Sequence, residues 1–168
     1  MPAKTNSSMQ LTRAADYAVR VMVHLAAPAA EPRLSLPALA KATGAPQSFL
    51  SKVLQELARS GLIASQRGHR GGFAIAQRGR QASIRQVIEA VDGPVQLNLC
   101  LGSGRSCSRR SWCPAHPVWR KAQQAMLAVL EGARIADLAR EANANLEACA
   151  GLEACASNNA APMPLLEA

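Results

Sequence analysis

The chain of 168 residues is long enough for one domain with a short appendage. Aromatic residues make up only 3% of it, so a core has to be built from aliphatic side chains, and its net charge of +8 favours a polyanionic partner such as nucleic acid. No apolar run approaches the roughly 18 residues of a membrane span, and residues 1–10 lack the apolar core of a signal peptide. We therefore expect a cytoplasmic protein without a membrane segment.

The first predicted element is an amphipathic helix over residues 11–27, which follows a disordered leader at 1–8. Its apolar residues recur at steps of three and four, the spacing of one helix face. Thr12 is suited to cap its start, and Pro28 ends it. The predicted buried face consists of Ala14, Ala15, Ala18, Val21, Met22 and Leu25.

Two further helices follow, joined by a tight turn at Gly44. Ser35 is placed to cap the first, and Pro46 opens the second, where its missing N–H costs no hydrogen bond. Gly61 suits the left-handed position that ends the second helix. The predicted buried stripe of that helix consists of Phe49, Leu50, Val53, Leu54 and Leu57.

Two short apolar stretches, 62–64 and 73–76, then flank a turn rich in glycine and arginine, which predicts a β-hairpin. Ser83 is placed to cap another helix that reaches about Val91. The order helix, helix, turn, helix, hairpin is typical of a winged helix-turn-helix. We predict a mainly helical fold with a small β-hairpin wing, divided into the winged helix-turn-helix at 9–94, a cysteine-rich loop at 95–116, a long and a short helix at 117–141, and a disordered or weakly helical tail at 142–168. The long helix is amphipathic, and its apolar residues predicted to lie inside are Val118, Ala122, Ala125, Met126, Val129 and Leu130.

The helix opened by Pro46 is the predicted recognition helix. Its outward residues near the N-terminal end can reach base edges in the major groove; they are Gln47, Ser48, Ser51 and Lys52. The predicted hairpin tip adds Arg67, His69 and Arg70, within a stretch from Leu57 to Ile88 that holds six arginines and no acid. The alternative is a solvated basic turn on an unrelated fold.

Three of the five cysteines, Cys100, Cys107 and Cys113, cluster in the cysteine-rich loop. In a reducing compartment such a cluster indicates metal or redox chemistry more than structural disulfides. Three thiolates with one further ligand can hold an iron–sulfur cluster or a tetrahedral zinc ion. The spacing favours iron–sulfur, because zinc sites more often use closely spaced pairs. Three free cysteines are the alternative, and the nearby arginines Arg105, Arg109 and Arg110 would stabilise thiolates.

Two residues are candidates for the fourth ligand. His116 lies three residues after Cys113, close enough to join the same site, although taken alone the commoner role of such a residue is that of a polar residue at a helix start. Asp16 is the second candidate, and its ordinary role is an ion pair with Arg20 one helical turn away.

These segments together resemble the IscR/NsrR-type bacterial regulators of the Rrf-two family. The resemblance covers about residues 9–141 and is carried by segment 9–20, the helix-turn-helix through Ile63, the wing Arg67-Gly-His-Arg-Gly-Gly-Phe and the sequence Cys113-Pro-Ala-His-Pro-Val-Trp. The wing departs from the family in lacking its usual third glycine. The recognition helix has Ser51 and Lys52 where IscR has an acid and an amide, so the target sequence cannot be carried over.

The resemblance implies a homodimer whose helix from Pro117 to Leu130 packs against its twin on a two-fold symmetric DNA operator. It also implies an iron–sulfur cluster (2Fe–2S or 4Fe–4S) held by Cys100, Cys107 and Cys113. The fourth ligand is His116 in the IscR branch or Asp16 of the partner subunit in the NsrR branch, and the sequence context favours His116. The expected function is a transcriptional repressor that senses redox state, nitric oxide or iron–sulfur status.

Two other classes of function stay open. The first is a DNA-binding regulator without iron, which uses zinc or a thiol–disulfide switch at the same cysteines. The second is a cysteine-dependent enzyme. The enzyme is disfavoured because the sequence has no C-x-x-C motif, no phosphate-binding loop and no acid/base pair near the cysteines.

Overall fold

The computed structural model describes residues 11–28, 32–68, 71–102 and 107–150. Within these ranges the chain forms helices, a two-stranded antiparallel sheet and one 3₁₀ turn at Leu99–Leu101. In chain order the elements are α1 (Arg13–Ala26), α2 (Leu36–Thr43), α3 (Gln47–Arg59), β1 (Ile63–Gln66), β2 (Gly72–Ile75), α4 (Gln77–Arg80), α5 (Ile84–Asp92), α6 (His116–Gly132) and α7 (Ile135–Ala150). Among the described residues, no helix is long and apolar enough to cross a membrane.

Helix α1 lies at the centre of the fold and contacts α2, α3, α5 and α7. The predicted cap is confirmed, since the Thr12 hydroxyl accepts a hydrogen bond from the Ala15 N–H at 3.1 Å. Most of the predicted apolar face is buried, and only Ala14 is partly exposed. The core that α1 organises is aliphatic, as the shortage of aromatic residues requires.

The predicted helix-turn-helix is formed by α2 and α3. The Ser35 hydroxyl accepts from the Ala38 N–H at 3.3 Å, and Gly44 has the left-handed φ of +69° that a tight turn after α2 needs. One member of the predicted stripe on α3 is not buried: the Phe49 side chain is 38% exposed. Its ring instead packs edge-on against Tyr17 of α1, with centroids 5.8 Å apart.

The predicted hairpin is formed by β1 and β2, with Ile63 opposite Ile75 and Gln66 opposite Gly72. A third segment, for which the sequence has no signal, pairs with this hairpin. Leu34, just before α2, exchanges both backbone hydrogen bonds with Phe73 at 2.9 and 2.8 Å. This pairing fixes the wing to the start of the helix-turn-helix.

A one-turn helix, α4, was not predicted and joins the wing to α5. It fits because Gly79 packs closely against Leu62, the residue directly before β1: a Cβ at position 79 would lie 2.0 Å from the Leu62 carbonyl oxygen. The predicted cap of α5 is confirmed, and Ser83 and Gln86 form a reciprocal capping box.

Two expectations for the last helices are wrong. The stripe on α6 predicted to lie inside is not buried within this chain, since Val118 is 64% and Val129 is 72% exposed. Helix α7 does not end at Glu141 but continues to Ala150, because its alanine-rich sequence contains no glycine or proline that would stop a helix. Ile135 at its start is buried in the core. Residues 1–8 and 151–168, predicted to be disordered, lie outside the described residues.

Candidate DNA-reading face and cysteine cavity

The N-terminal half of α3 carries the predicted base-reading residues on its outer surface. Gln47, Ser48 and Lys52 are exposed, and Ser51 is half-buried. The opposite face of the helix is anchored by four fully or nearly fully buried residues, Leu50, Val53, Leu54 and Leu57. A rigid core therefore presents these polar side chains to the outside, as a recognition helix requires.

Arg20 connects α1 to the helix-turn-helix. Its guanidinium pairs with the Asp16 carboxylate at 2.9 Å, lies 5.8 Å from the centroid of the Tyr17 ring, and donates to the Thr43 carbonyl at 3.4 Å. Because Tyr17 also contacts Phe49 of α3, this set of contacts orients the recognition helix relative to α1. Sequence reasoning found the pair of Asp16 and Arg20, but it did not reveal the contacts with Thr43 and Phe49.

The wing carries the second set of predicted DNA contacts. Arg67 is exposed directly after β1, and His69 and Arg70 lie outside the described residues. Gly71 leaves no space for a side chain, because a Cβ there would lie 2.3 Å from the Gln66 carbonyl oxygen. Within the described parts of the chain neither Arg67 nor Lys52 forms an ion pair, so both cations are available for phosphate groups.

The three clustered cysteines line one cavity of about 480 Å³. Cys100 lies in the 3₁₀ turn and is half-buried, as is Cys113, while Cys107 is exposed; all three are free thiols. Consecutive turns bring Cys107 and Cys113 together. The Arg110 N–H donates to the Cys107 carbonyl at 3.0 Å, and the Cys113 N–H donates to the Arg109 carbonyl at 2.8 Å. The other lining residues are Asn98, Leu99, Ser108, Arg110, His116 and Trp119.

His116 lies in this cavity at the first position of α6. Its backbone N–H donates to the Cys113 carbonyl at 3.1 Å, which fixes the spacing between the two residues. The Nε2 atom is buried and has no hydrogen-bond partner in the described structure. Asp16 of the same chain is not among the cavity residues; its side chain is 50% exposed and paired with Arg20.

The described side chains do not form a site for a single metal ion, since no three histidine, cysteine or acidic residues converge closely enough. The three cysteines and His116 instead line a cavity of about 480 Å³. The segment directly before the cavity residue Asn98 is bonded to α6, because the Leu97 N–H donates to the Gln123 Oε1 atom at 3.1 Å. Sequence reasoning missed Gln123, and a lone polar residue on a helix offers no pattern by which to find it.

Comparison with known proteins identifies the family. The family Rrf2, described as "Iron-dependent Transcriptional regulator", matches residues 11–141. The chain belongs to the Rrf2 family. The predicted membership is thereby confirmed, and the chain is a transcriptional regulator of this family.

Similar proteins support the same assignment. Rv1287 of Mycobacterium tuberculosis strain H37Rv is 35% identical over 131 residues, which are 78% of this chain and 81% of that protein. The HTH-type transcriptional regulator IscR of Aliivibrio salmonicida is 30% identical over 130 residues, 77% of each chain.

Solved structures confirm the fold of this Rrf2 regulator. The structure of T. potens IscR superposes with a TM-score of 0.64 at 23% identity and covers 80% of this chain and 89% of its own. The oxidized form of Staphylococcus aureus CymR has a TM-score of 0.62 at 23% identity, with 78% and 96% covered. The predicted winged helix architecture is therefore confirmed, whereas the roles of individual site residues stay predictions.

Proposed function

We propose that this Rrf2 regulator binds a two-fold symmetric operator as a homodimer and that an iron–sulfur cluster in the cysteine cavity controls its affinity for DNA. One observation carries the proposal. Three free thiols line the same cavity as a buried imidazole nitrogen that has no hydrogen-bond partner among the described residues.

The donor set fits such a cluster. A buried nitrogen left without a partner costs roughly 1–3 kcal/mol, and coordination to iron would satisfy the Nε2 atom of His116. A cluster contains several iron atoms, so its ligands do not have to converge on one point. We therefore assign Cys100, Cys107, Cys113 and His116 as its ligands. When bound, the cluster supplies a centre that oxygen or nitric oxide can attack and that iron scarcity can deplete.

The DNA-binding part of the proposal depends on α3 and the wing. We assign base contacts to Gln47, Ser48, Ser51 and Lys52, whose helix can enter the major groove. Arg67, with His69 and Arg70, is assigned to the phosphate backbone and the adjacent minor groove. The net charge of +8 supports the same assignment.

Helix α6 is the proposed dimer interface. It carries the apolar side chains Val118 and Val129, which are mostly exposed in the single chain, and Met126 and Leu130, which are half-buried. A stripe of this kind is expected to be covered by a second copy, because an isologous interface buries the same surface on both subunits.

The ends of the cysteine-rich loop provide the proposed connection between cluster and DNA. The loop begins directly after α5, which contacts both α1 and α3, and it is bonded to α6 through Leu97 and Gln123. Ordering or loosening the loop therefore acts on a DNA-binding unit and on the dimer helix together. A change in the relative position of the two recognition helices of the dimer would then weaken or strengthen repression.

The test is an anaerobic visible absorption spectrum of the purified protein with iron and sulfide analysis, followed by DNA binding. A brown protein with matching iron and sulfide, whose colour is lost in Cys107→Ala, is expected. The operator is obtained by selection from a random duplex library, and its affinity is compared between loaded and cluster-free protein. A colourless anaerobic protein that contains zinc, or no metal, would contradict the iron–sulfur cluster and favour a zinc or thiol switch. It would not contradict the proposed binding to DNA.

A further inference from the structure

We infer that Arg110 makes the cysteine cavity selective for an anionic occupant. The inference rests on the proposed function only for the identity of that occupant, an iron–sulfur cluster whose thiolate ligands give it a negative charge. The selectivity itself is a property of the chain and can be tested without any cluster.

The position of Arg110 is the first argument. Arg110 lines the cavity together with the three cysteines and His116. Its backbone N–H donates to the Cys107 carbonyl at 3.0 Å, so Arg110 and Cys107 belong to one turn. Cys107 is the exposed thiol of the three. Arg110 therefore belongs to the turn that an anion entering from solvent reaches first.

The charge around the cavity is the second argument. No aspartate or glutamate is among the described lining residues, and Arg110 forms no ion pair within the described ranges. Asn98, Leu99, Ser108 and Trp119 are uncharged. The positive charge of Arg110 is consequently not compensated locally, and it attracts negative charge in the cavity.

The neighbouring residue provides a matched control. Arg109 has the same charge one position earlier in the chain, but it does not line the cavity. Its guanidinium carbon lies 5.8 Å from the centroid of the Trp112 ring instead. Arg109→Gln and Arg110→Gln therefore remove the same net charge, and they differ in whether the substituted residue lines the cavity.

The first experiment uses reduced, cluster-free full-length protein and two alkylating reagents, anionic iodoacetate and neutral iodoacetamide. In each reaction the thiolate sulfur forms a bond to the CH₂ carbon, the C–I bond breaks, and iodide leaves with the bonding electron pair. Mass spectrometry measures the rate of each reaction at Cys107. The ratio of the iodoacetate rate to the iodoacetamide rate cancels differences in thiol reactivity and reports the local preference for an anion.

We expect Arg110→Gln to lower the iodoacetate-to-iodoacetamide ratio roughly threefold, the scale of one partly screened charge in water. Arg109→Gln should leave the ratio near that of the wild type, Arg110→Lys should restore most of it, and about 1 M salt should abolish the difference. An unchanged ratio in Arg110→Gln, or an equal fall in both glutamine variants, would overturn the inference.

The second experiment uses the loaded protein and a redox titration with small-molecule mediators as electron donors. One added electron makes the occupant more negative, so Arg110 favours the reduced state. In Arg110→Gln the ratio of reduced to oxidised protein at a fixed potential should fall roughly threefold, and in Arg109→Gln it should not. Equal shifts in the two variants would contradict the inference. A wild type that binds no cluster would contradict the proposed function alone, since the alkylation ratio still decides the role of Arg110.

Discussion

The hydroxyl of Thr12 lies 2.8 and 2.6 Å from the two carboxylate oxygens of Asp92, to which it donates. The same oxygen accepts from the Ala15 N–H and caps α1. Asp92 is the last residue of α5, directly before Gly93 and the cysteine-rich loop. The carboxylate also lies at the N-terminus of α1, where the helix dipole favours a negative charge. This contact joins the central helix of the DNA-binding domain to the point where the loop begins.

Removing this contact should destabilise the protein. We expect Thr12→Val to lower the free energy of unfolding by about 1–2 kcal/mol, because it removes both the helix cap and the bond to Asp92. Thr12→Ser keeps the hydroxyl and should cost much less. Urea unfolding of Thr12→Val, Asp92→Asn and the double variant measures the coupling, and strictly additive effects would show that the two side chains do not interact.

Two glycines in helices should respond to alanine in opposite directions. Gly79→Ala places a Cβ 2.0 Å from the Leu62 carbonyl oxygen, so the backbone of α4 or of Leu62 has to move. Its expected cost is about 2–4 kcal/mol. At Gly132, the last residue of α6, a Cβ would meet no described atom of a neighbouring segment within 4 Å, so Gly132→Ala should be neutral or stabilise by up to about 1 kcal/mol. Thermal unfolding measures the stability of both variants. If Gly79→Ala and Gly132→Ala change the stability equally, the close contact at Gly79 is relieved without cost.

The fourth ligand is tested by a comparison of His116 with Asp16. We expect His116→Ala to change the band shape of the visible spectrum and to speed loss of iron, because it removes the unpaired nitrogen in the cavity. Asp16→Ala removes an exposed ion pair with Arg20 and should leave the spectrum unchanged. The reverse pattern would assign Asp16 of the partner subunit as the ligand and remove His116 from the site.

The sequence predicted local structure well because the decisive signals are local. Thr12, Ser35 and Ser83 are caps that each act on an N–H three residues away, and Gly44 is a turn residue whose effect is confined to its neighbours. The relative position of Cys113 and His116 is also local, because a single hydrogen-bonded turn joins the two residues.

Long-range relationships were less accessible. Periodicity shows which residues of α6 share a face, but it does not show what covers that face. Val118 and Val129, predicted to lie inside, are exposed in the single chain. Leu34 pairs with Phe73 across a long stretch of chain, and Gln123 bonds to Leu97, in each case without a sequence motif. That Cys100 and Cys107 share a cavity with Cys113 likewise depends on how the loop folds back.

A charge placed on the exposed stripe of α6 should disrupt the proposed dimer. Val129 is 72% exposed in the single chain, so Val129→Asp should change the free energy of unfolding of the protomer little while placing a carboxylate in the interface. Leu146→Asp, at a site on α7 that is 70% exposed, is the control. Sedimentation equilibrium should find monomeric Val129→Asp and dimeric Leu146→Asp. A Val129→Asp variant that stays dimeric would exclude this part of α6 from the interface.

Arg67 and Gln47 should contribute to DNA binding in different ways. Arg67 is assigned to phosphate, so Arg67→Ala should weaken binding to all sequences alike and reduce the slope of log K against log salt by about 1. Gln47 is assigned to a base edge, so Gln47→Ala should cost about 1–3 kcal/mol on the selected operator, little on unrelated DNA, and leave the salt slope unchanged. Arg140→Ala, which breaks an exposed pair with Asp137 on α7, is the control for loss of positive charge. If Arg140→Ala weakens binding as much as Arg67→Ala does, net charge and not a wing contact explains the affinity, and the assignment of the wing would be wrong.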